Sequence, residues 1–258
     1  MSFYVLCLMN PLRSAKQVNF HCSRLFVALK NEKILRFQGY KFNQLLKMPL
    51  FKEFKIGDID VAVWKITETT EELSSLVAPE CAVEAAHMKS CSRRQEWLAV
   101  RVLLARLCGK DARIVYDECG KPFLVGADGF ISISHTRDYV LLAHSFSAPF
   151  GVDMELSSRD ASVVARKFMK EPDVASLSPE TANKALLIRW CVCEALFKLV
   201  GNVGGTYKDN VLLLSPFPAP DGSLTVSLKG CRELPDSDYA ARCVEEDGLV
   251  IVFLQNNF

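Results

Sequence analysis

The run Leu186–Gly201, LLIRWCVCEALFKLVG, restricts what this chain can become more than any other stretch. It follows Ser178-Pro179-Glu180, a helix start with proline in the first turn, and it stops at a glycine suited to ending a helix. The spacing predicts a helix over Pro179–Val200. At about 3.6 residues per turn, Trp190, Glu194 and Lys198 share one face, while Leu186, Leu187, Val192, Ala195, Leu196 and Leu199 supply apolar surface. A carboxylate among so much apolar material needs a partner, an ion or a proton. Taken alone, the stretch reads as an ordinary amphipathic helix with a Glu194–Lys198 surface pair worth ~0.3–0.5 kcal/mol. Two carboxylates upstream change that reading.

A chain of 258 residues holds one large domain or two smaller ones, and with half its residues apolar it has ample core. Ten cysteines are scattered without a CxxC pair, which reads as reduced thiols in a cytoplasm. The four histidines lack metal-ligand spacing, arguing against zinc, and no apolar run is long enough to span a membrane. The net charge of +1 hides an asymmetry, because residues 1–47 carry eight Lys/Arg and one acid. That basic extension has three readings: a targeting peptide, an arm for membrane or nucleic acid, or a spurious start with Met48 as the working one. The third is preferred, since Met48 opens a normal domain beginning, and the segment is expected to pack poorly. The rest is acidic, which argues against a nucleic-acid binder.

Along the chain, Ile56–Thr67 reads as a strand buried on much of both faces. Short helices are expected at Thr69–Leu76 and Pro79–Met88, and a long one at Ser92–Leu107 ended by Gly109. Its Arg93, Arg94, Arg101 and Arg106 read as a solvated face. Strands follow at Ala112–Tyr116, Lys121–Val125, Phe130–Ser134, Tyr139–Phe146 and Phe150–Leu156. Helices come next at Ala161–Lys170, Glu171–Leu177 and Pro179–Val200, then strands at Leu224–Leu228, Tyr239–Cys243 and Leu249–Leu254. Pro149 marks a seam. The order of elements is roughly duplicated, which predicts an α+β fold with mostly antiparallel sheet.

In Phe150–Leu156 the alternation puts Phe150, Val152, Met154 and Leu156 on one side, and Asp153 and Glu155 on the other about 7 Å apart. Such a pair is either the wet face of a strand or, with Gly151 leaving room beside it, two oxygen ligands for a hard cation. With Glu194 there are three candidate ligands, and magnesium among carboxylates and bases suits a phosphate or pyrophosphate ligand. Upstream, Ile131-Ser132-Ile133-Ser134-His135-Thr136 ends a strand with two hydroxyls and an imidazole at its lip. A lone His at a strand end is ordinarily structural, and Gly120-Lys121-Pro122 is ordinarily a turn.

Together these pieces resemble the signature of the 4′-phosphopantetheinyl transferases. Gly151-Val152-Asp153-x-Glu155 is followed by Trp190-x-x-x-Glu194-Ala195-x-x-Lys198, with Gly120-Lys121-Pro122 and Ser134-His135 before them in the family's order. The resemblance covers about Met48–Phe258 and fits the larger single-chain kind that activates peptide synthetases and acyl carrier proteins. It implies a pseudo-twofold pair of similar lobes, each a mostly antiparallel sheet packed with helices: 48–149, and 150–258 carrying the metal site. It implies Mg²⁺-dependent transfer of the phosphopantetheinyl arm of coenzyme A to a serine of an apo acyl or peptidyl carrier protein, releasing 3′,5′-ADP. Fatty acid, polyketide and nonribosomal peptide synthesis are the pathways in view. Asp153, Glu155 and Glu194 would then hold the metal, and Glu194 would take the serine proton. Lys198 would balance the pyrophosphate, and Ser134 and His135 would meet the 3′-phosphate with Lys89 or Arg93 as helpers. Lys121 and Pro122 would border the adenine nucleotide. The expected partners are coenzyme A and a carrier protein, with no nucleic acid and no membrane, for a cytoplasmic monomer.

One departure stands out. The family's helix motif carries a lysine where this chain has Cys193, and a thiol offers neither a fixed positive charge nor a good donor. Either Arg189, one turn earlier, leans toward the gap, or the chain is a weak or inactive paralogue that binds coenzyme A or a carrier protein.

Overall fold

The computed structural model describes residues 50–201 and 205–256, so the expected basic extension, 1–47, lies outside the described residues. Pro49–Phe258 gather as one compact unit. Strands β1 (Leu50–Ile56), β2 (Ile59–Lys65), β5 (Phe130–Thr136) and β6 (Tyr139–Ser145) form an antiparallel sheet in the order β1-β2-β6-β5, and β3 (Arg113–Tyr116) pairs with β4 (Pro122–Val125) as a separate hairpin. A second antiparallel sheet runs β7-β11-β10-β9-β8, built from β7 (Gly151–Leu156), β8 (Val211–Leu213), β9 (Ser223–Leu228), β10 (Ser237–Glu246) and β11 (Leu249–Gln255). The helices are α1 (Thr70–Ser74), α2 (Pro79–Ala86), α3 (Cys91–Cys108), α4 (Glu171–Ala175), α5 (Ala182–Val200) and α6 (Tyr207–Asn210), with a 3₁₀ helix at Ser162–Lys167. The fold is α+β with antiparallel sheets and helices.

Alternation along the strands decides the layering. Ile59, Val61 and Val63 of β2 and Leu141 and Ala143 of β6 share one core with Val152 and Met154 of β7 and Leu249, Ile251 and Phe253 of β11. Each of these Val, Leu, Ile, Met and Phe side chains, fully buried, contributes roughly 1.5–3 kcal/mol. The intervening residues of β2, Ala62 and Trp64, are buried as well, and α3 packs on β2 and β6. On the second sheet the intervening residues of β11, Val250, Val252 and Leu254, join Leu186, Leu187, Ile188, Cys191, Val192, Ala195 and Leu196 of α5 in another core.

Helix α5 lies directly against β7 because Gly151 has no side chain. A Cβ there would stand 1.9 Å from the Ala195 carbonyl oxygen and 3.1 Å from the Leu199 nitrogen. The room expected beside the two acids is therefore filled by helix backbone.

Several elements differ from expectation. The strand foreseen over Ile56–Thr67 is the second half of a hairpin, because Gly57, at φ +59°, turns the chain between Ile56 and Ile59. Residues expected as a helix over Ala161–Lys170 shorten to a 3₁₀ helix, in which β-branched Val163 and Val164 lose less by leaving the α conformation. The arginines of α3 are not simply solvated. Arg94 donates to the Met88 carbonyl at 2.7 Å, Arg101 stacks 3.4 Å over the Trp97 ring, and Arg106 pairs with Glu53. Among the described residues no helix is long and apolar enough to cross a membrane.

Candidate active site

The two sheets meet where β5 faces β7. The outward N–H groups of β7 find serine hydroxyls instead of a partner backbone: Val152 N–H donates to Ser132 Oγ at 3.0 Å and Met154 N–H to Ser134 Oγ at 3.1 Å. On the same side of β5, Ser134 also donates to Asp153 Oδ1 at 2.8 Å, and Thr136 Oγ1 donates to Glu155 Oε2 at 2.6 Å. All three hydroxyl residues are buried, as are Asp153 and Glu155, at 6% and 5% exposure.

Buried carboxylates are retained only with compensation. Lys198 Nζ, from α5, donates to Asp153 Oδ1 at 2.8 Å and to the Val152 carbonyl at 2.9 Å. Arg159 pairs with Glu155 from four residues along the chain. Its segment is tied to the start of α5, because Asn183 donates to the Arg159 carbonyl at 2.9 Å and accepts from Ala161 N–H at 3.0 Å. Glu194, half-buried on the same helix face as Trp190 and Lys198, has its carboxyl held above the ordinary range. Burial is the main cause, the negative charges of Asp153 and Glu155 add to it, and Lys198 opposes it. Trp190 packs on Phe168, ring centres 5.4 Å apart.

Three acids from two distant segments thus act on one another across the β7–α5 contact. They do not form a ready-made cage: among the described residues no group of three or more His, Cys, Asp or Glu is drawn close enough to hold an ion as it stands. Donor chemistry nevertheless suits a hard divalent cation. The donors are carboxylate oxygens, and Asp153 Oδ2 is buried with no hydrogen-bond partner.

The remaining residues singled out from sequence divide into two places. Lys121, at the β3–β4 turn that Asp117 closes through the N–H groups of Cys119 and Lys121, donates from Nζ to the Leu199 carbonyl at 2.7 Å. This brings Lys121 to the last turn of α5, next to Lys198, and Pro122 pairs with Tyr116 in the same hairpin. His135 goes elsewhere, because neighbours on a strand point to opposite faces. It is exposed, with Arg93 Nη1 3.0 Å from its Nε2 and Glu96 3.8 Å from its Nδ1. Ser134 and His135, expected side by side at a phosphate, are therefore separated, and the Ser134 hydroxyl is committed to Asp153 and Met154. Lys89 is exposed between α2 and α3.

Cys193 is fully buried, and burial pushes its thiol up to about 12. Arg189 does not lean into the site. Its guanidinium donates to the carbonyls of Phe168 at 3.3 Å, Tyr207 at 3.4 Å and Val211. All cysteines among the described residues are free.

Two participants were not foreseen. Thr136 could have been found from the period-two run Ser132, Ser134, Thr136, which places hydroxyls on one face of β5. Arg159 carried no signal beyond its distance of four residues from Glu155.

No protein-family profile matches the chain. Among curated proteins it is similar to the 4′-phosphopantetheinyl transferase AcpT of Salmonella typhimurium (strain LT2), 31% identical over 130 residues, a stretch that covers 49% of this chain and 68% of the relative. It is likewise similar to the 4′-phosphopantetheinyl transferase AcpT of Salmonella typhi, 30% identical over 130 residues with the same coverage.

Proposed function

The chain belongs to the 4′-phosphopantetheinyl transferase family, and on that premise we propose that it moves the phosphopantetheinyl arm of coenzyme A onto a serine of an apo carrier protein, as a holo-acyl-carrier-protein synthase does. The observation that carries this reading is the gathering of Asp153, Glu155 and Glu194 about the β7–α5 contact, with an unused buried oxygen on Asp153.

Asp153, Glu155 and Glu194 would hold Mg²⁺, which when bound would neutralise charge on the pyrophosphate under attack. The chain's own groups do the rest. The serine hydroxyl of the carrier attacks the phosphorus that bears the pantetheine arm, the phosphoanhydride bond breaks, and 3′,5′-ADP leaves with the bonding electrons. Glu194, directly or through a water, takes the hydroxyl proton. Lys198, which donates to the Val152 carbonyl and to Asp153, would balance negative charge on the pyrophosphate. Lys121 anchors its hairpin to the end of the same helix, supporting a nucleotide contact there, and Arg93 with His135 offers donors to a terminal phosphate.

On this reading the division at Pro149 corresponds to two similar lobes, 48–149 and 150–258, and the protein works as a cytoplasmic monomer in fatty acid, polyketide or peptide synthesis. A second reading, a slow catalyst or a binder without turnover, is favoured by one observation. Cys193 is buried and Arg189 is spent on three carbonyls, so Arg189 does not replace the motif lysine. Mass spectrometry separates the two. With apo carrier protein, coenzyme A and Mg²⁺, the carrier gains the mass of the arm, and Glu194→Gln abolishes the gain. Coenzyme A binding with no modified carrier would establish the second reading.

A further inference from the structure

Three hydroxyls on one face of β5 do more than close a seam between sheets. We propose that Thr136, together with Ser134, is a positioning residue that sets the orientation of the two β7 carboxylates from the opposite sheet. The inference rests on the metal-binding reading above for its consequence, but not for the contact itself.

The carboxylates sit on a strand, and strand geometry alone fixes only the direction of their Cβ bonds. The remaining side-chain torsions of Asp153 and Glu155 are settled by what their oxygens touch. One oxygen of each is engaged from β5: Ser134 donates to Asp153 Oδ1 at 2.8 Å, and Thr136 donates to Glu155 Oε2 at 2.6 Å. Both donors are buried, at 3% and 6% exposure, so bulk water has little access to these hydrogen bonds. The Ser134 hydroxyl is itself held, because it accepts Met154 N–H at 3.1 Å. Threonine adds stiffness of its own, since its branched Cβ restricts the χ1 torsion that aims the hydroxyl. The other oxygen of Glu155 faces Arg159, and Asp153 keeps Oδ2 free. Outer partners that hold ligating carboxylates characteristically change metal affinity about 10–100-fold when removed.

The test uses Mn²⁺ alone as the probe, titrated calorimetrically into the full chain. Thr136→Val keeps the shape and removes the hydroxyl, and it is expected to weaken Mn²⁺ binding about 10–100-fold, while Thr136→Ser keeps it within about threefold of wild type. Valine binding Mn²⁺ as wild type does, or serine losing as much as valine, overturns the proposal. Should Thr136→Val fail to fold, Thr136→Ala makes the same comparison. A second arm, in EDTA, measures denaturation midpoints of Thr136→Val, Glu155→Ala and the double variant. Once Glu155 is gone, removing the hydroxyl should cost nothing further, whereas additive losses overturn the contact. Wild type that binds no Mn²⁺ yet shows this non-additivity defeats the metal reading and leaves the Thr136–Glu155 link standing.

Discussion

Replacing Gly151 by alanine adds one methyl group at the tightest contact in the site. The new Cβ would stand 1.9 Å from the Ala195 carbonyl oxygen, whereas real Cβ atoms essentially never come closer than 3.0 Å to such an atom, so β7 and α5 must separate by at least about 1.1 Å. The obstacle is backbone, which cannot swing aside as a side chain can, and Val152 and Ala195 beside it have no exposure at all. Overpacking ordinarily costs 1–3 kcal/mol, and a backbone clash lies at or above the top of that range, roughly 3 kcal/mol. For a chain of this size each kcal/mol lowers Tm by about 2–4 °C, so Tm should fall by roughly 6–12 °C. The same displacement stretches the 2.8 Å bond from Lys198 to Asp153 and shifts Glu194 against both β7 acids. Transfer activity should then fall about a hundredfold even at temperatures where the variant is folded, since misplacement by 1 Å can cost that much. Calorimetry with a carrier-modification assay measures both. A variant that melts within 1 °C of wild type would refute the packing argument, and a melting loss with full activity would refute the link from the packing to the site.

Lys198→Met should reduce transfer about a hundredfold and push the Glu194 carboxyl further above the ordinary range, because Lys198 is the main charge opposing that rise; wild-type turnover in the carrier assay would contradict it. Arg189→Ala removes the guanidinium from the carbonyls of Phe168, Val211 and Tyr207, the last of which keeps the Val211 N–H, and should cost roughly 3 kcal/mol, against about 1 kcal/mol for Cys193→Ala; equal urea midpoints would show that the guanidinium contacts contribute nothing. Asp221 is held down to about 2 from 3.8 by the Ser223 hydroxyl and N–H and by Arg242. A lowered acid contributes stability above its ordinary value and loses it as pH falls through the lowered one. The gap between wild type and Asp221→Asn should therefore be constant above about pH 4 and shrink toward pH 2 in urea titrations; a gap that widens on acidification would contradict the assignment.

Local pattern carried a good deal. The body of the helix expected over Pro179–Val200, its half-exposed face of Trp190, Glu194 and Lys198, the helix ended by Gly109, and the inward and outward faces of β7 were legible, because each depends on periodicity and on end signals within a few residues; the start of that first helix was not, since it begins at Ala182 and Pro179 lies in the turn before it. The hairpin of β1 and β2 is not legible because the strand reading begins at Ile56, where the Gly57-Asp58 turn already separates β1 (Leu50–Ile56) from β2. Short α6 and β8 carry too few residues for any period to show.

For the site, the motif names Asp153, Glu155, Glu194 and Lys198 as candidates, and β alternation alone puts the first two together. Which groups touch which was settled by tertiary packing. Ser134 reads as a phosphate contact until β5 is laid along β7 and its hydroxyl turns out to bond Asp153. Arg189 reads as a substitute for the missing lysine until carbonyls of Phe168, Tyr207 and Val211 are seen to claim it. Gly151 reads as open space until α5 fills it. The physical reason is common to all three. Helix and strand periods are properties of consecutive residues, whereas a hydroxyl, a guanidinium or an empty volume takes its role from whatever distant segment the fold brings within about 3 Å.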